Sequence, residues 1–391
     1  MNIINKEKEY VFQTYRRYEL AVKKAKGKYI WDVDGKKYLD MFTGISVSNM
    51  GHCHPQIVAA IKKQCGLYLH VSNYYYAEPQ IKLAEALVKS SFAGRVFFSN
   101  SGAEACECAI KLARKWGSKH GGRYEIITFK DSFHGRTIAT ISAAEQKKFK
   151  SGFEPLLEGF KYAELNSLDS VKAALSDKTV AVLVEPIQGE GGVNCTSTEF
   201  MRSLRALCDE KKLLLICDEI QTGLGRTGDM YAYEGAAITP DILTLAKSLG
   251  GGLPLAATIA KDEVASALTF GEHGTTFGGN PVSCAAGLAL MKMITPDVLK
   301  QVRESGLYFR KKLEALKSKY SFIKDVRGAG LMLGMDLDFK GSDVVKCCQQ
   351  KGLLINCTHD TVIRFLPPFT VNKKDIDKAI KILEEAFKCQ K

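Results

Sequence analysis

Five short apolar runs, at residues 96–98, 125–129, 179–184, 213–217 and 242–246, are each closed by turn-forming or polar residues. Between them, apolar positions recur at helical spacing. Runs this short, apolar toward both faces, predict interior strands of a mostly parallel sheet, and the amphipathic stretches predict helices on its two sides. After Pro281 the pattern changes: Val298, Val302, Leu307, Leu313 and Leu316 predict a long helical segment, followed by a strand-rich region over 326–364 and a closing helix. That closing helix has a legible start, with Asn372 placed to cap it, Asp375 three residues on, and Val371 placed to pack on Ile376. The prediction is an α/β chain: an N-terminal segment (1–48) packing with the smaller domain, a large domain (49–283), and a smaller α+β C-terminal domain (284–391). No internal repeat, low-complexity tract or long linker interrupts it.

Composition narrows the class. The 391 residues are 46% hydrophobic and 25% charged, ordinary for a globular chain that buries a large core. The first eight residues are polar and no run is long enough to span a bilayer, so the expectation is a cytoplasmic protein without membrane partners. Of twelve cysteines, Cys106, Cys108, Cys208, Cys217, Cys284, Cys347 and Cys348 fall inside apolar or helical patterns rather than at regular spacing, which predicts reduced, mostly buried thiols. His52, Cys53 and His54 lack a second ligand pair at metal spacing, so a loop is expected there and no metal. The formal charge of +12 is spread along the chain, with its densest group at Lys23, Lys24, Lys26 and Lys28 beside a predicted strand at 29–33. A solvated basic face that draws in anions fits this better than a nucleic-acid surface, for which no motif is present.

Chemistry enters where the apolar runs stop. The run at 213–217 ends on Asp218, and the run at 242–246 ends on Lys247 before Ser248, Leu249 and three glycines. Neighbouring parallel strands would deliver both groups to one sheet edge. A lysine and a carboxylate placed so suit pyridoxal phosphate: the amine forms a Schiff base with the aldehyde, and the carboxylate keeps the pyridine nitrogen protonated so the ring withdraws electrons. A structural ion pair, or two unrelated surface residues, is the alternative reading.

Other segments fit around this pair. Ser101, Gly102 and Ala103 lie between the 96–98 strand and a helix, where backbone amides at a helix start favour a phosphate. Phe133 can lie flat on a ring and Arg136 can reach into a cleft. Glu185 to Gly192 forms an acidic, glycine-rich loop in which the Glu185–Pro186 bond is a candidate for the cis form. Thr275 and Thr276 carry hydroxyls on a loop for which no local use is evident.

Together, in this order, these segments resemble the pyridoxal-phosphate-dependent class III (omega) aminotransferases, from about residue 15 to 364. The resemblance rests on 51–55, 100–104, 133–137, 185–190, 218–221, Lys247 and 275–281. It implies the type I fold of such enzymes, with pyridoxal 5'-phosphate as cofactor. Lys247 would carry the cofactor, Asp218 pair with the ring nitrogen, Gln221 contact the ring-oxygen side, and Phe133 stack. Ser101, Gly102 and Ala103 would hold the phosphate, completed by Thr276 of a second subunit, which implies a homodimer with composite sites. The chain departs from the family in having Ala103 where Thr is usual and Cys106 where Asn is frequent. The loss of one phosphate-facing hydroxyl leaves the backbone amides in place.

The resemblance also speaks to substrate. Arg136 resembles the arginine that binds the distal carboxylate, and Arg364 the one that binds the carboxylate next to the reacting carbon of glutamate. Glu190 resembles the acid that neutralises Arg364 when an omega-amine occupies the site. Ile45 stands where enzymes acting on free ornithine have a tyrosine, and Tyr15 resembles a substrate-side aromatic. The expected reaction is transfer of the omega-amino group of N2-acetylornithine to 2-oxoglutarate. Succinylornithine, ornithine and 4-aminobutyrate are alternatives within the family, and a racemase or aminomutase is the alternative outside it.

Overall fold

The computed structural model describes residues 3–388. Strand Leu214–Asp218 runs parallel to Ile242–Leu245 on one side and to Thr179–Val184 on the other. All three are buried along their whole length, which is why their sequences are continuous apolar runs rather than alternating ones. Glu125–Phe129 and Phe160–Ala163 extend the sheet in parallel beyond Thr179–Val184. On the other side, Ala256–Ala260 pairs antiparallel with both Ile242–Leu245 and Arg95–Ser99. The result is a seven-stranded sheet with one reversed strand, mostly parallel and covered by helices. Ala256–Ala260 and Phe160–Ala163 are additions to the strands expected from the apolar runs: the first is alanine-rich and the second alternates with lysine and tyrosine.

Helix Gly102–Ser118 follows the Arg95–Ser99 strand and lies across the sheet on small residues, among them Ala105, Cys106, Ala109 and Ala113. Its start is held by a reciprocal cap. The Ser101 hydroxyl accepts from Glu104 N–H at 3.3 Å, and the Glu104 carboxylate accepts from Asn100 N–H at 2.8 Å.

The long helical segment after Pro281 is two helices, Pro281–Met293 and Pro296–Lys319, with a 74° bend between them. The first packs on Pro55–Cys65 and Glu78–Ser90. The boundary expected at 283/284 therefore lies inside a helix, and the chain turns away only at the bend. Beyond it, Ile323–Ala329, Met332–Leu337, Val362–Phe365 and Asn356–Thr358 form an antiparallel sheet in that order. The N-terminal strands Val22–Lys26, Tyr29–Asp32 and Lys37–Asp40 form a separate sheet that takes Leu353–Leu354 as its fourth strand. The closing helix Lys373–Lys388 begins as its sequence predicts: Asn372 Oδ1 accepts from Asp375 N–H at 3.1 Å, and Asp375 Oδ2 accepts from Asn372 N–H at 3.0 Å.

Two local expectations are corrected. The Glu185–Pro186 bond is trans, and the cis peptide lies at Glu154–Pro155; both isomers are within reach at any X–Pro bond, so neighbouring residues alone do not choose. The Thr275 hydroxyl does have local work, accepting from Asn100 Nδ2 at 3.2 Å and from Gly278 N–H at 3.3 Å. Among the described residues no single helix is long and apolar enough to cross a membrane.

Candidate active site

Parallel register places Asp218 beside Thr244, so the ends of two adjacent strands open onto one cavity of about 350 Å³. Ser101, Gly102, Ala103, Phe133, Gln221 and Glu190 line it together with Asp218 and Lys247. These come from five separate stretches of chain, brought to one place because a parallel sheet collects its strand-end loops along one edge.

Asp218 is fixed on every side. Its Oδ1 accepts from Ile220 N–H at 3.1 Å and from the Thr244 hydroxyl at 3.2 Å; its Oδ2 accepts from His134 Nδ1 at 2.7 Å and from the Cys106 thiol at 3.4 Å. Burial alone would raise its pKa, but the hydrogen bond and charge of His134 outweigh that and hold it below the ordinary carboxylate value. His134 moves the other way: burial works against its protonation, and Asp218 more than restores it. Glu185, also buried, is pushed up by desolvation and by the nearby Asp218 charge, although its carboxylate accepts from Phe133 N–H at 2.8 Å and Gly189 N–H at 3.1 Å. Two carboxylates a strand apart are thus driven toward opposite protonation states.

Lys247 sits at the first position of a 3₁₀ turn, Lys247–Gly250, with φ of 45°, a left-handed conformation rarely adopted by a long side chain. Burial lowers its pKa, Glu190 opposes that, and Arg364 adds to it. An amine less firmly protonated than a surface lysine is a better nucleophile.

Fully buried Arg364, on strand Val362–Phe365 behind the cavity-lining Glu190 and Gln221, donates from Nη1 to Glu190 Oε1 at 2.8 Å, Gly189 O at 2.9 Å and Gln221 Oε1 at 3.2 Å, while its Nε donates to Asn356 Oδ1 at 3.2 Å. The loop backbone passes close to this pair: a Cβ at Gly189 would lie 2.4 Å from Gln221 Oε1 and would displace that amide. Arg364 outweighs the desolvation of Glu190 and holds its carboxyl below the ordinary range.

These residues fit a phosphorylated pyridine aldehyde. The opening amides of a 17-residue helix, an ionised carboxylate, an amine and the Phe133 ring all line the one cavity. A β-carbon added at Gly102 would meet Ile220 at 2.9 Å, and one at Gly135 would meet Ala103 at 2.8 Å, so the cradle is tight.

Other predicted residues lie outside the cavity. Tyr15 is 72% exposed, with the Arg17 guanidinium 5.4 Å from its ring. Ile45 packs in a small apolar cluster with Ile187, Val193 and Met332, while Val47, two residues on, does face the cavity. Arg136 is exposed and rests on Phe149, 4.1 Å from the ring centroid, with Phe133 at 5.5 Å. Thr275 is half-buried, and Thr276 is exposed beside a smaller cleft near Asn73 and Gln80. Sequence reasoning passes over His134, Cys106 and Thr244 as site residues. Thr244 was accessible in principle, since it is the parallel-register neighbour of Asp218; the other two carry no local mark. Tyr18 is about half exposed, and its hydroxyl lies within electrostatic reach of Arg364: partial burial and Cys357 push it up and Arg364 pulls it down.

The chain belongs to the class-III aminotransferases, whose family model matches residues 10–387. It is accordingly a pyridoxal-phosphate-dependent aminotransferase. Among its relatives, the acetylornithine aminotransferase of Methanocaldococcus jannaschii is 52% identical over 99% of this chain and 98% of that protein. That of Bacillus subtilis is 47% identical over 96% and 97%. Of solved structures, the ornithine aminotransferase of Toxoplasma gondii superposes with a TM-score of 0.95 at 32% identity, covering 99% of this chain and 94% of that one. The acetylornithine aminotransferase of Elizabethkingia anophelis does so at 0.87 and 30%, covering 98% and 97%.

Proposed function

We propose that the chain transfers the omega-amino group of N2-acetylornithine to 2-oxoglutarate, giving N-acetylglutamate 5-semialdehyde and glutamate, a step of arginine biosynthesis. The observation that carries this reading is the Glu190–Arg364 pair at 2.8 Å beside Lys247. An omega-amine brings no carboxylate next to its reacting carbon, and Arg364 is then neutralised by Glu190; glutamate brings one, and Glu190 must yield. The names and identities of the relatives at 52% and 47% favour the acetylated donor, as does an aliphatic Ile45 two residues before the cavity-lining Val47.

When bound, the cofactor supplies an electron sink for the bond broken at the amine-bearing carbon. Lys247 Nζ would hold the aldehyde carbon and, once released, would carry the proton between the substrate carbon and that cofactor carbon. Asp218, kept ionised by His134, would hold the ring nitrogen in its protonated form; Phe133 would orient the ring; and the amides of Gly102 and Ala103, with Ser101 at the helix start, would hold the phosphate. Gln221 would face the ring oxygen, and Arg136, freed from Phe149, would take the distal carboxylate common to acetylornithine and 2-oxoglutarate.

The active form in this reading is a homodimer in which Thr276 of one subunit completes the phosphate site of the other. Its own cavity does not include Thr276, and the surrounding surface is aromatic: Phe277, Phe270, Tyr74 and Tyr76 are all largely exposed in the single chain. The cytoplasm is the compartment we infer, in keeping with the buried free thiols of Cys106, Cys208, Cys217 and Cys284.

A donor panel tests the substrate. Acetylornithine should discharge the visible band of the cofactor-loaded enzyme faster than ornithine or 4-aminobutyrate at equal concentration. Preference for either of the latter would overturn the assignment, and succinylornithine measured alongside decides how far the acyl group is read.

A further inference from the structure

Four donors surround the Asp218 carboxylate, and one is unlike the rest. A backbone amide, a threonine hydroxyl and an imidazole are strong donors; the Cys106 thiol at 3.4 Å is a weak one. Cys106 is fully buried, and burial together with the Asp218 charge pushes its pKa far up, so it stands beside the carboxylate as a neutral S–H and not as a second anion. It also belongs to the first turns of helix Gly102–Ser118, four residues after Gly102. The same helix therefore presents its opening amides to the cavity and a thiol to the Asp218 carboxylate.

We propose that Cys106 is a positioning residue for the ring-nitrogen end of the cofactor site. Its thiol gives Asp218 a fourth, deliberately weak hydrogen bond and ties the carboxylate to the helix that cradles the phosphate. A strong donor in that place would draw charge from Asp218 and weaken its hold on the protonated ring nitrogen. No donor would leave the carboxylate more basic but less restrained. Besides Cys106, the titratable groups acting on Asp218 are His134, Glu185 and Lys247. The Cys106, His134 and Asp218 ligand atoms also lie within 4.8 Å of one another. His134 and Asp218 are already in direct hydrogen-bond contact, however, and a bridging ion would require that bond to break.

The inference rests on Asp218 serving the ring nitrogen, and the test separates the two. The pH midpoint of the visible absorption band would be measured on cofactor-loaded wild type, Cys106→Ser, Cys106→Val, Cys106→Ala and Asp218→Asn, with the rate of cofactor loss followed by fluorescence. A less basic Asp218 leaves the ring nitrogen less protonated, which raises the midpoint. Cys106→Ser should therefore raise it by roughly half a unit, and Cys106→Val and Cys106→Ala should lower it by a similar amount. All three should lose cofactor faster. A purely space-filling cysteine would leave the midpoint unmoved, or move it in one direction for serine and valine alike; either result overturns the proposal. If valine and alanine fail to load, an unchanged midpoint in the serine variant is sufficient to overturn it. Should Asp218→Asn itself leave the midpoint unchanged, the assignment of Asp218 falls and the role of Cys106 falls with it.

Discussion

Glu190 is one of three acceptors on a single nitrogen of Arg364, the other two being the carbonyl of Gly189 and the side-chain oxygen of Gln221. Only Glu190 brings charge. When its side chain leaves, the guanidinium keeps its orientation through neutral partners but loses its neutralising charge, and a carboxylate on the substrate can replace it. The backbone of the loop is held meanwhile, since Thr358 Oγ1 donates to Glu190 O at 2.6 Å and Arg327 Nε to Gly192 O at 2.9 Å.

Glu190→Gln should consequently shift donor preference toward glutamate, because Arg364 stays available for an α-carboxylate. Single-turnover rates with each donor separately measure it. Equal losses for both donors would mean that the exchange does not operate here.

The two arginines should separate in the same assay. Arg364→Ala should chiefly damage the glutamate and 2-oxoglutarate half-reaction, by roughly 2 to 5 kcal/mol if a desolvated charge pair is lost. Arg136→Ala should damage both half-reactions, since both partners present a distal carboxylate. A variant of Arg136 that loses only one half-reaction would place the distal carboxylate elsewhere.

Lys247→Ala should abolish the visible band and transamination while leaving the circular-dichroism spectrum and the unfolding midpoint of the cofactor-free chain near wild type. Among the described residues the half-buried amine makes no hydrogen bond that holds the strand ends together, and its positive φ is relaxed no further by alanine. A grossly unfolded variant would contradict this.

Mixing inactive Lys247→Ala with an inactive Thr276 variant should restore part of the activity. In a heterodimer, one site then receives its lysine from one chain and its threonine from the other, both intact. No recovery despite demonstrated subunit exchange would remove the shared site.

The His134–Asp218 hydrogen bond should stabilise the fold within a window of pH. Asp218 has its pKa lowered on folding, so its contribution is present above the ordinary carboxylate value and lost as pH falls through the lowered one. His134 has its pKa raised, so its contribution is complete below the ordinary imidazole value and lost as pH rises through the raised one. The stability difference between wild type and His134→Asn in the cofactor-free chain, about 1.5 to 3 kcal/mol for a hydrogen bond to a charged group, should therefore be greatest at mildly acidic pH and shrink on both sides. Denaturant titrations across pH measure it, and a flat profile would show that the pair is not charged.

Continuous apolar runs ending in Asp218 and Lys247 determine, by themselves, that each of these residues closes an interior strand, because strand burial and the strand period are local properties of the chain. The reciprocal cap at Asn372 and Asp375 is local for the same reason. The partnership of Glu190 with Arg364, 174 residues apart, is legible only through family resemblance, since nothing in spacing or period joins them. Tertiary structure alone decides that His134 and Cys106, 84 and 112 residues from Asp218, meet on one of its oxygens. It also decides that Ala256–Ala260 enters the sheet reversed and that Arg136 rests on Phe149. Such contacts depend on which strands become neighbours and how far each helix lies along the sheet. Packing between distant segments sets both, and hydrophobic pattern within any one segment is silent about them.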